Sequence, residues 1–485
     1  MQYELVIKGG KIATQSDIFT ADIGISAGKI VAIGANLSSA KQEINAHGKW
    51  VLPGGVDSHC HIEQLSGAGI MNADSFETAT RSAAYGGTTS VISFAAQHVG
   101  MRLNKVVADY AKLAQQGAII DYAFHIIVAD ISDKNLSEDL PKLISQGHRS
   151  IKIFTTYDKV RLQDEQILDT LLCARENGAL VCFHAENDGL LRWMSKKLLQ
   201  KGYSTPNFHV QSHPRIAEIE AINRMIQFSK FIDQPIVIFH VSTIEGIELI
   251  RAAQTEGIKV FAETCPHYLF MDADELASPK IETAKKLCSP PQRRKADQHA
   301  LWDALERGDL QIISSDHAPY RFDETGKLSN GANAPFNAIA NGMPGLELRL
   351  PLMFDAMVSR GKLGIKKFVE LTATAPAQIY NLAGKGSICI GADADIAIWD
   401  GEKQVTLGEN DLHDNTGYNP FVGRTIKGWP ETVLLGGNII IHNGELKAKP
   451  GSGKFINRAM GESMRPTGNL VSEMNPELNF GAEIY

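Results

Sequence analysis

The sequence predicts an α/β fold, a (β/α)₈ TIM barrel carrying a small β-sandwich domain built from both chain ends. Three observations predict it. Between residues 53 and 384, short apolar runs alternate with helical patterns eight times, as parallel barrel strands and their crossover helices do. The first 50 residues and a later stretch share another texture, of β-branched runs broken by Gly-containing turns. Lastly, six residues able to bind metal lie on five of the apolar runs, at or near their C-terminal ends, the rim where such barrels carry their chemistry.

The elements follow in order. YELVIKGGKIAT, ADIGISAGKIVAIGANL and KWVLPGG read as the strands of residues 1–52, and GSICIGADADIAIWD with ETVLLGGNIIIHNGELK as their counterparts in 385–449. In the barrel region, 53–384, the strand candidates are VDSHCHI, TTSVISFA, DYAFHIIV, SIKIFTT, LVCFHAE, PIVIFHVS, KVFAETCP and QIISSDHAP. Helical patterns such as SFETATRSAAY, LNKVVADYAKLAQQ, DEQILDTLLCAREN and HALWDALERG fill most gaps. A doubly wound open sheet is the competing fold; the ligand-type residues at the strand ends favour the barrel. Residues 450–485 are rich in Gly, Pro, Asn and Met without a sustained period. They read as an arm, either packed on a neighbouring subunit or without fixed order.

Composition excludes several classes. The 485 residues are 44% hydrophobic and 21% charged, with a formal net charge of −7, which gives no footprint for nucleic acid. No run approaches the roughly 18 apolar residues of a membrane span, and MQYELVIKGGKI lacks the pattern of a signal peptide. Six cysteines without a CxxC motif suit reduced thiols in a cytoplasm.

His59 and His61 are two apart, so on a strand both imidazoles share a face while Cys60 points away as a packed thiol. Lys152 interrupts the apolar run SIKIFTTY. A lysine there is unfavourable unless it leaves an edge strand, is paired, or is modified. Carboxylation of its ε-nitrogen (N6-carboxylysine) would make it an anion able to bridge two cations. His184 and His240 follow the runs LVCF and IVIF at equivalent strand ends, and Asp316 ends the last run. Together these residues read as a binuclear site. Imidazole and carboxylate donors suit zinc first, with manganese, cobalt, nickel or iron also compatible. His267 and His317 fall off the ligand face and read as structural; Glu218 and Glu220 read as a solvated or loop-capping helix face.

The ordered motifs PGGVDSHCH, ADSFETATRSAAYGGTTSVISFA, IKIFTTY, HAEN, HVS, ETCPHYL, CSPPQR, SDHAP and NGMPGLE resemble the hydantoinases and dihydropyrimidinases, cyclic amidases of the amidohydrolase superfamily. The resemblance implies that His59, His61, Lys152 and Asp316 surround the more buried metal, and that carboxylated Lys152 bridges to a second held by His184 and His240. It implies that Tyr157 donates to the developing oxyanion, and that Ser289 and Asn341 bind the substrate ring through backbone groups. The implied reaction opens dihydropyrimidine or hydantoin rings to N-carbamoyl amino acids through a hydroxide shared by the metals, with Asp316 carrying the proton. Allantoinase or another cyclic imide or ureide hydrolase is the alternative activity. A non-enzymatic scaffold relative would have lost ligands that this chain retains. Glu63, two positions past His61, disfavours a dihydroorotase, whose substrate carboxylate it would repel; a substrate donor or a loop cation is its expected partner. The resemblance also implies a homotetramer.

Overall fold

The computed structural model describes residues 3–67 and 69–484, so Met1, Gln2 and Tyr485 at the ends of the predicted β-domain and arm, and Ala68 in the loop after His61, lie outside it. Eight parallel strands succeed one another in chain order: Gly55–Cys60, Thr88–Ala96, Asp121–Ile127, Ser150–Phe154, Leu180–His184, Ile236–Ile238, Val260–Thr264 and Ile312–Ile313. They fall on the eight predicted runs. Cys60 bridges in parallel to His317 just past the eighth strand, and the His61 N–H donates to the His317 carbonyl at 2.6 Å. The first and last strands therefore meet, which an open doubly wound sheet would not allow. The barrel is nearly closed.

Period-two alternation sorts each strand's side chains. Ile151, Ile153, Val181, Phe183, Ile236 and Ile238 join the core beneath the helices, whereas Phe94, Ile127, Leu180, Cys182 and Phe239 fill the barrel interior. Lys152, between Ile151 and Ile153 and in register with Cys182, takes the interior side. Cys60 belongs to the outer core, as its offset from the two histidines predicts. Arg349, wholly buried, closes the barrel from within. It donates to the Ile313 carbonyl at 3.0 Å and the Thr88 hydroxyl at 3.1 Å, and its Nε lies 3.4 Å from Asp57.

Strands from both chain ends form a second, nine-stranded mixed sheet. They join where Trp50–Pro53 pairs antiparallel with Ile396–Trp399. Ile7, Ile12, Ile23, Ile25, Val51, Ile396 and Leu434 make its separate core.

The arm packs on its own barrel. The Tyr122 N–H donates to Lys454 and the Ile456 N–H to Tyr122, extending the rim where the strands begin. Arg458 is buried there, donating to the Phe124 carbonyl at 2.7 Å and the Ser150 hydroxyl at 2.8 Å, and Thr467 and Gly468 donate backbone N–H groups to Asp233. An absence of period in the sequence thus accompanies fixed order imposed by long-range polar contacts.

Candidate active site

A cavity of about 500 Å³ opens at the C-terminal ends of the strands, and His59, His61, Lys152, Tyr157, His184, His240, Ser289, Asp316 and Asn341 all line it. The backbone is unusual at three of these positions. Tyr157, His240 and Asp316 have φ of 73°, 40° and 45°, a region that side chains with a Cβ rarely occupy, and such strain is concentrated at functional sites.

An imidazole that gives its one N–H to an acceptor keeps a lone pair on its other nitrogen. His59 Nδ1 meets a Glu263 carboxylate oxygen, His61 Nδ1 lies 2.8 Å from Gln64 Oε1, and His184 Nε2 lies 2.8 Å from Glu186. The lone pairs left over are on His59 Nε2, His61 Nε2 and His184 Nδ1. Both Nε2 atoms face Asp316 Oδ1, at 3.0 and 3.6 Å. Among the described residues, His240 Nδ1 is buried without a hydrogen-bond partner. One nitrogen each from His59 and His240 and one oxygen of Asp316 lie within 4.8 Å of one another. Three lone-pair donors this close suit a divalent cation.

The electrostatics agree. Burial holds the His184 and His240 rings well below their usual range, with the neighbouring Lys152 charge acting in the same direction, so both stay neutral as metal ligands must. Burial opposes the Asp316 carboxylate, yet the facing His59 and His61 rings, when they carry a proton toward it, outweigh burial and hold it well below the usual carboxylate range; a divalent cation taking the place of those protons would act in the same direction.

The amidohydrolase family model matches residues 50–440. D-hydantoinases from Ralstonia pickettii and Geobacillus stearothermophilus are 38% and 37% identical to this chain, over 94% of it and 99% and 96% of their own lengths. Among solved structures, a dihydropyrimidinase from Brevibacillus agri superposes with a TM-score of 0.91 at 36% identity, covering 94% of this chain and 99% of that one. An L-hydantoinase from Arthrobacter aurescens superposes with a TM-score of 0.86 at 27% identity, covering 94% and 100%. The chain belongs to the hydantoinase branch of the amidohydrolase family. It is a cyclic amidase, and the family with the His59–His240–Asp316 group points to metal dependence.

In this hydantoinase-family chain Lys152 is almost wholly buried, its Nζ 4.0 Å from the centroid of Phe239 and 4.8 Å from that of Phe154. Among the described residues no carboxylate pairs with it, and burial pushes its pKa down to about 7. The amine is therefore substantially neutral near pH 7, the form that adds to carbon dioxide. Tyr157 packs edge-on to Phe154 and His184 and has Ser289 as a hydrogen-bonding neighbour; burial raises its pKa, so the phenol keeps its proton. The Ser289 hydroxyl sits 3.2 Å from both His213 Nε2 and Asn341 Nδ2. Gly342, next to Asn341, has φ of 140°, and a Cβ there would lie 2.3 Å from the Ala318 carbonyl oxygen. Only glycine fits that turn.

One reading of the sequence is corrected and one is narrowed. Among the described residues Glu63 meets no cation and does not line the cavity; it accepts the N–H of Phe76, where the helix Phe76–Tyr85 begins with unpaired donors. Of the two readings of Glu218, the loop-capping one holds and the solvated one does not: it is buried, accepting from the Ser242 backbone at 2.8 Å and from Arg293 at 3.1 Å, because the helix Arg215–Ile232 turns that face inward. Glu263, Glu186 and Gln64 orient three of the histidines, and the sequence reading does not include them. Glu263 carries a usable signal: a lone carboxylate in the apolar run KVFAET is as unfavourable as Lys152 in SIKIF. His317 is a structural bridge, as expected, its Nε2 2.9 Å from Asp74.

Proposed function

We propose that this chain hydrolyses the cyclic amide bond of 5,6-dihydropyrimidines or 5-substituted hydantoins, giving N-carbamoyl amino acids. The observation that carries the reading is one cavity floor on which four histidines, Asp316 and an unpaired buried lysine converge, with a protonated phenol beside them.

His59, His61, Asp316 and Lys152 would hold the more buried of two divalent ions, and Lys152, His184 and His240 the second, with zinc the best match to the donors and manganese, cobalt, nickel or iron also compatible. When bound, such ions supply Lewis acidity, bringing a water near neutral pKa and polarising the carbonyl. Addition of carbon dioxide to the Lys152 amine, with loss of a proton, would give N6-carboxylysine and remove the unpaired cation from among the rings of Phe94, Phe154 and Phe239.

Ser289 and Asn341 hold the ring through their backbone groups. Tyr157 donates its O–H to the carbonyl oxygen as negative charge develops on it. Asp316 accepts the proton of the attacking water and passes it to the ring nitrogen as the C–N bond breaks. Ring opening and the proton transfer balance, leaving a carboxylate on one side and the carbamoyl nitrogen on the other.

The barrel of 53–384 would be the catalytic unit, with 1–52 and 385–449 as a supporting β-sandwich domain and 450–485 as an arm. A homotetramer in the cytoplasm is part of the same proposal; no described helix is long and apolar enough to cross a membrane. Assays on dihydrouracil, hydantoin, allantoin and succinimide test it. Turnover of the first two is expected; exclusive turnover of allantoin or succinimide would assign a different cyclic amide or imide hydrolase.

A further inference from the structure

The long segment between Asp316 and Asn341 buries one lysine. Lys327 has no solvent-exposed surface, and its Nζ donates to the Ala340 carbonyl oxygen at 2.8 Å. Its own N–H is tied to the Arg321 carbonyl at 2.8 Å, which fixes where the side chain starts. Among the described residues no carboxylate pairs with it. Burying a lysine amine with one carbonyl as its partner is unfavourable for folding, and burial pushes its pKa down to about 7, so the residue invites a reason other than stability.

Covalent geometry supplies one. In a planar trans peptide, the C=O of one residue and the N–H of the next point in opposite directions. Ala340, Asn341 and Gly342 line the cavity, whereas Lys327 is wholly buried and is not among the lining residues. Drawing the Ala340 oxygen back to Lys327 therefore turns the Asn341 N–H toward the cavity. No described acceptor in the protein takes that N–H. A parallel arrangement holds the facing segment, where His209 Nε2 donates to the Cys288 carbonyl at 2.8 Å and turns the Ser289 N–H the same way. The Gly342 N–H donates to the Leu287 carbonyl at 2.8 Å and locks the two segments edge to edge.

We propose that Lys327 is a positioning residue for substrate recognition, holding Ala340 so that the Asn341 N–H meets the ring carbonyl that is not under attack. An N–H donor on the Ala340 oxygen also polarises that peptide and strengthens its N–H as a donor. The assignment rests on the cavity being a cyclic-amide site.

The test compares hydantoin and dihydrouracil with their 2-thioxo analogues, whose sulfur is a poor acceptor, in the metal-loaded full-length enzyme. Wild type is expected to prefer the oxo substrate. Lys327→Met is expected to fold with unchanged metal content and an equal or higher Tm, while kcat/KM for the oxo substrate falls about tenfold, mainly through KM, the scale of one lost hydrogen bond. The oxo-over-thioxo preference should shrink by a similar factor, and Lys327→Gln, which keeps an N–H donor, should recover most of it. A preference unchanged in Lys327→Met, no preference in wild type, or a Tm that falls with activity or a variant that does not fold would overturn the assignment and leave the functional reading standing. A wild type inactive on both oxo substrates would overturn the functional reading itself.

Discussion

The Nδ1 of His59 is hydrogen-bonded to the Glu263 carboxylate, a contact between the first and seventh barrel strands spanning 204 residues. Both side chains are buried, and the contact turns His59 Nε2 toward Asp316. Replacing such an orienting carboxylate commonly lowers metal affinity about 10–100-fold. Glu263→Ala is therefore expected to keep the fold and lose metal at chelator concentrations that wild type withstands. Competition with a chelator, followed by elemental analysis, measures this; equal retention would show that Glu263 does not orient His59.

Lys152 separates a bridging carbamate from a buried spectator amine. Lys152→Ala is expected to lose metal and nearly all turnover. Added formate, acetate or bicarbonate should restore part of both by placing a carboxylate in the gap. Full activity in the unsupplemented variant would remove the bridging role. A mass increase of one carboxyl group on the native wild-type protein, lost on acidification, is the matching chemical signature.

The Arg349–Asp57 pair beneath the site tests stability instead. Both side chains are wholly buried, and Asp57 also accepts from the Ser315 and His59 backbone N–H groups. Removing one partner leaves a charge without compensation, typically a loss of about 3–5 kcal/mol. Arg349→Leu should unfold at clearly lower denaturant than wild type. The double variant with Asp57→Asn should lose less than the sum of the two single changes; strict additivity would mean that the two groups do not interact.

These pairs also show why some of the molecule is legible in the sequence and some is not. His59, His61, Lys152, His184, His240 and Asp316 are readable because each interrupts or ends an apolar run, and strand periodicity fixes which side of the barrel it faces. The eight strands are readable for the same reason. Glu263 as the partner of His59 is not, since nothing local in KVFAET names a residue two hundred positions away. The order of the arm is hidden because it comes from Arg458 donating to the Phe124 carbonyl and the Ser150 hydroxyl, 334 and 308 positions away in sequence. Glu218 misleads because half a helix face looks solvated until its neighbour, here Arg293, is known.

Chelation tests the site as a whole. Six residues with ligand chemistry line one cavity, so active protein is expected to hold about two divalent ions per chain, the number such binuclear sites use. Stripping them should abolish turnover, and adding zinc, manganese or cobalt should restore it. His240, whose buried Nδ1 has no hydrogen-bond partner among the described residues, gives an independent readout, since its ring resonances should shift on metal addition even without substrate. Full activity in metal-free protein would rule the mechanism out.

Tyr157 separates chemistry from metal binding. Its phenol is protonated and held beside His184 by ring packing, in a backbone conformation with φ of 73° that a merely space-filling aromatic would not require. A donor that serves only the developing oxyanion is dispensable for folding and for metal but not for turnover. Tyr157→Phe keeps the ring, and so the packing on Phe154 and His184, and removes only the hydroxyl. The variant should retain its metals and Tm while kcat falls by about 10²-fold or more, the usual scale for one oxyanion donor. KM should move much less, because the ground-state carbonyl carries little negative charge. If the ring merely packed the loop, kcat would stay near wild type, since that packing survives the substitution. Measuring kcat, KM and metal content on this one variant decides between the two, and an unchanged kcat would withdraw the oxyanion role from Tyr157.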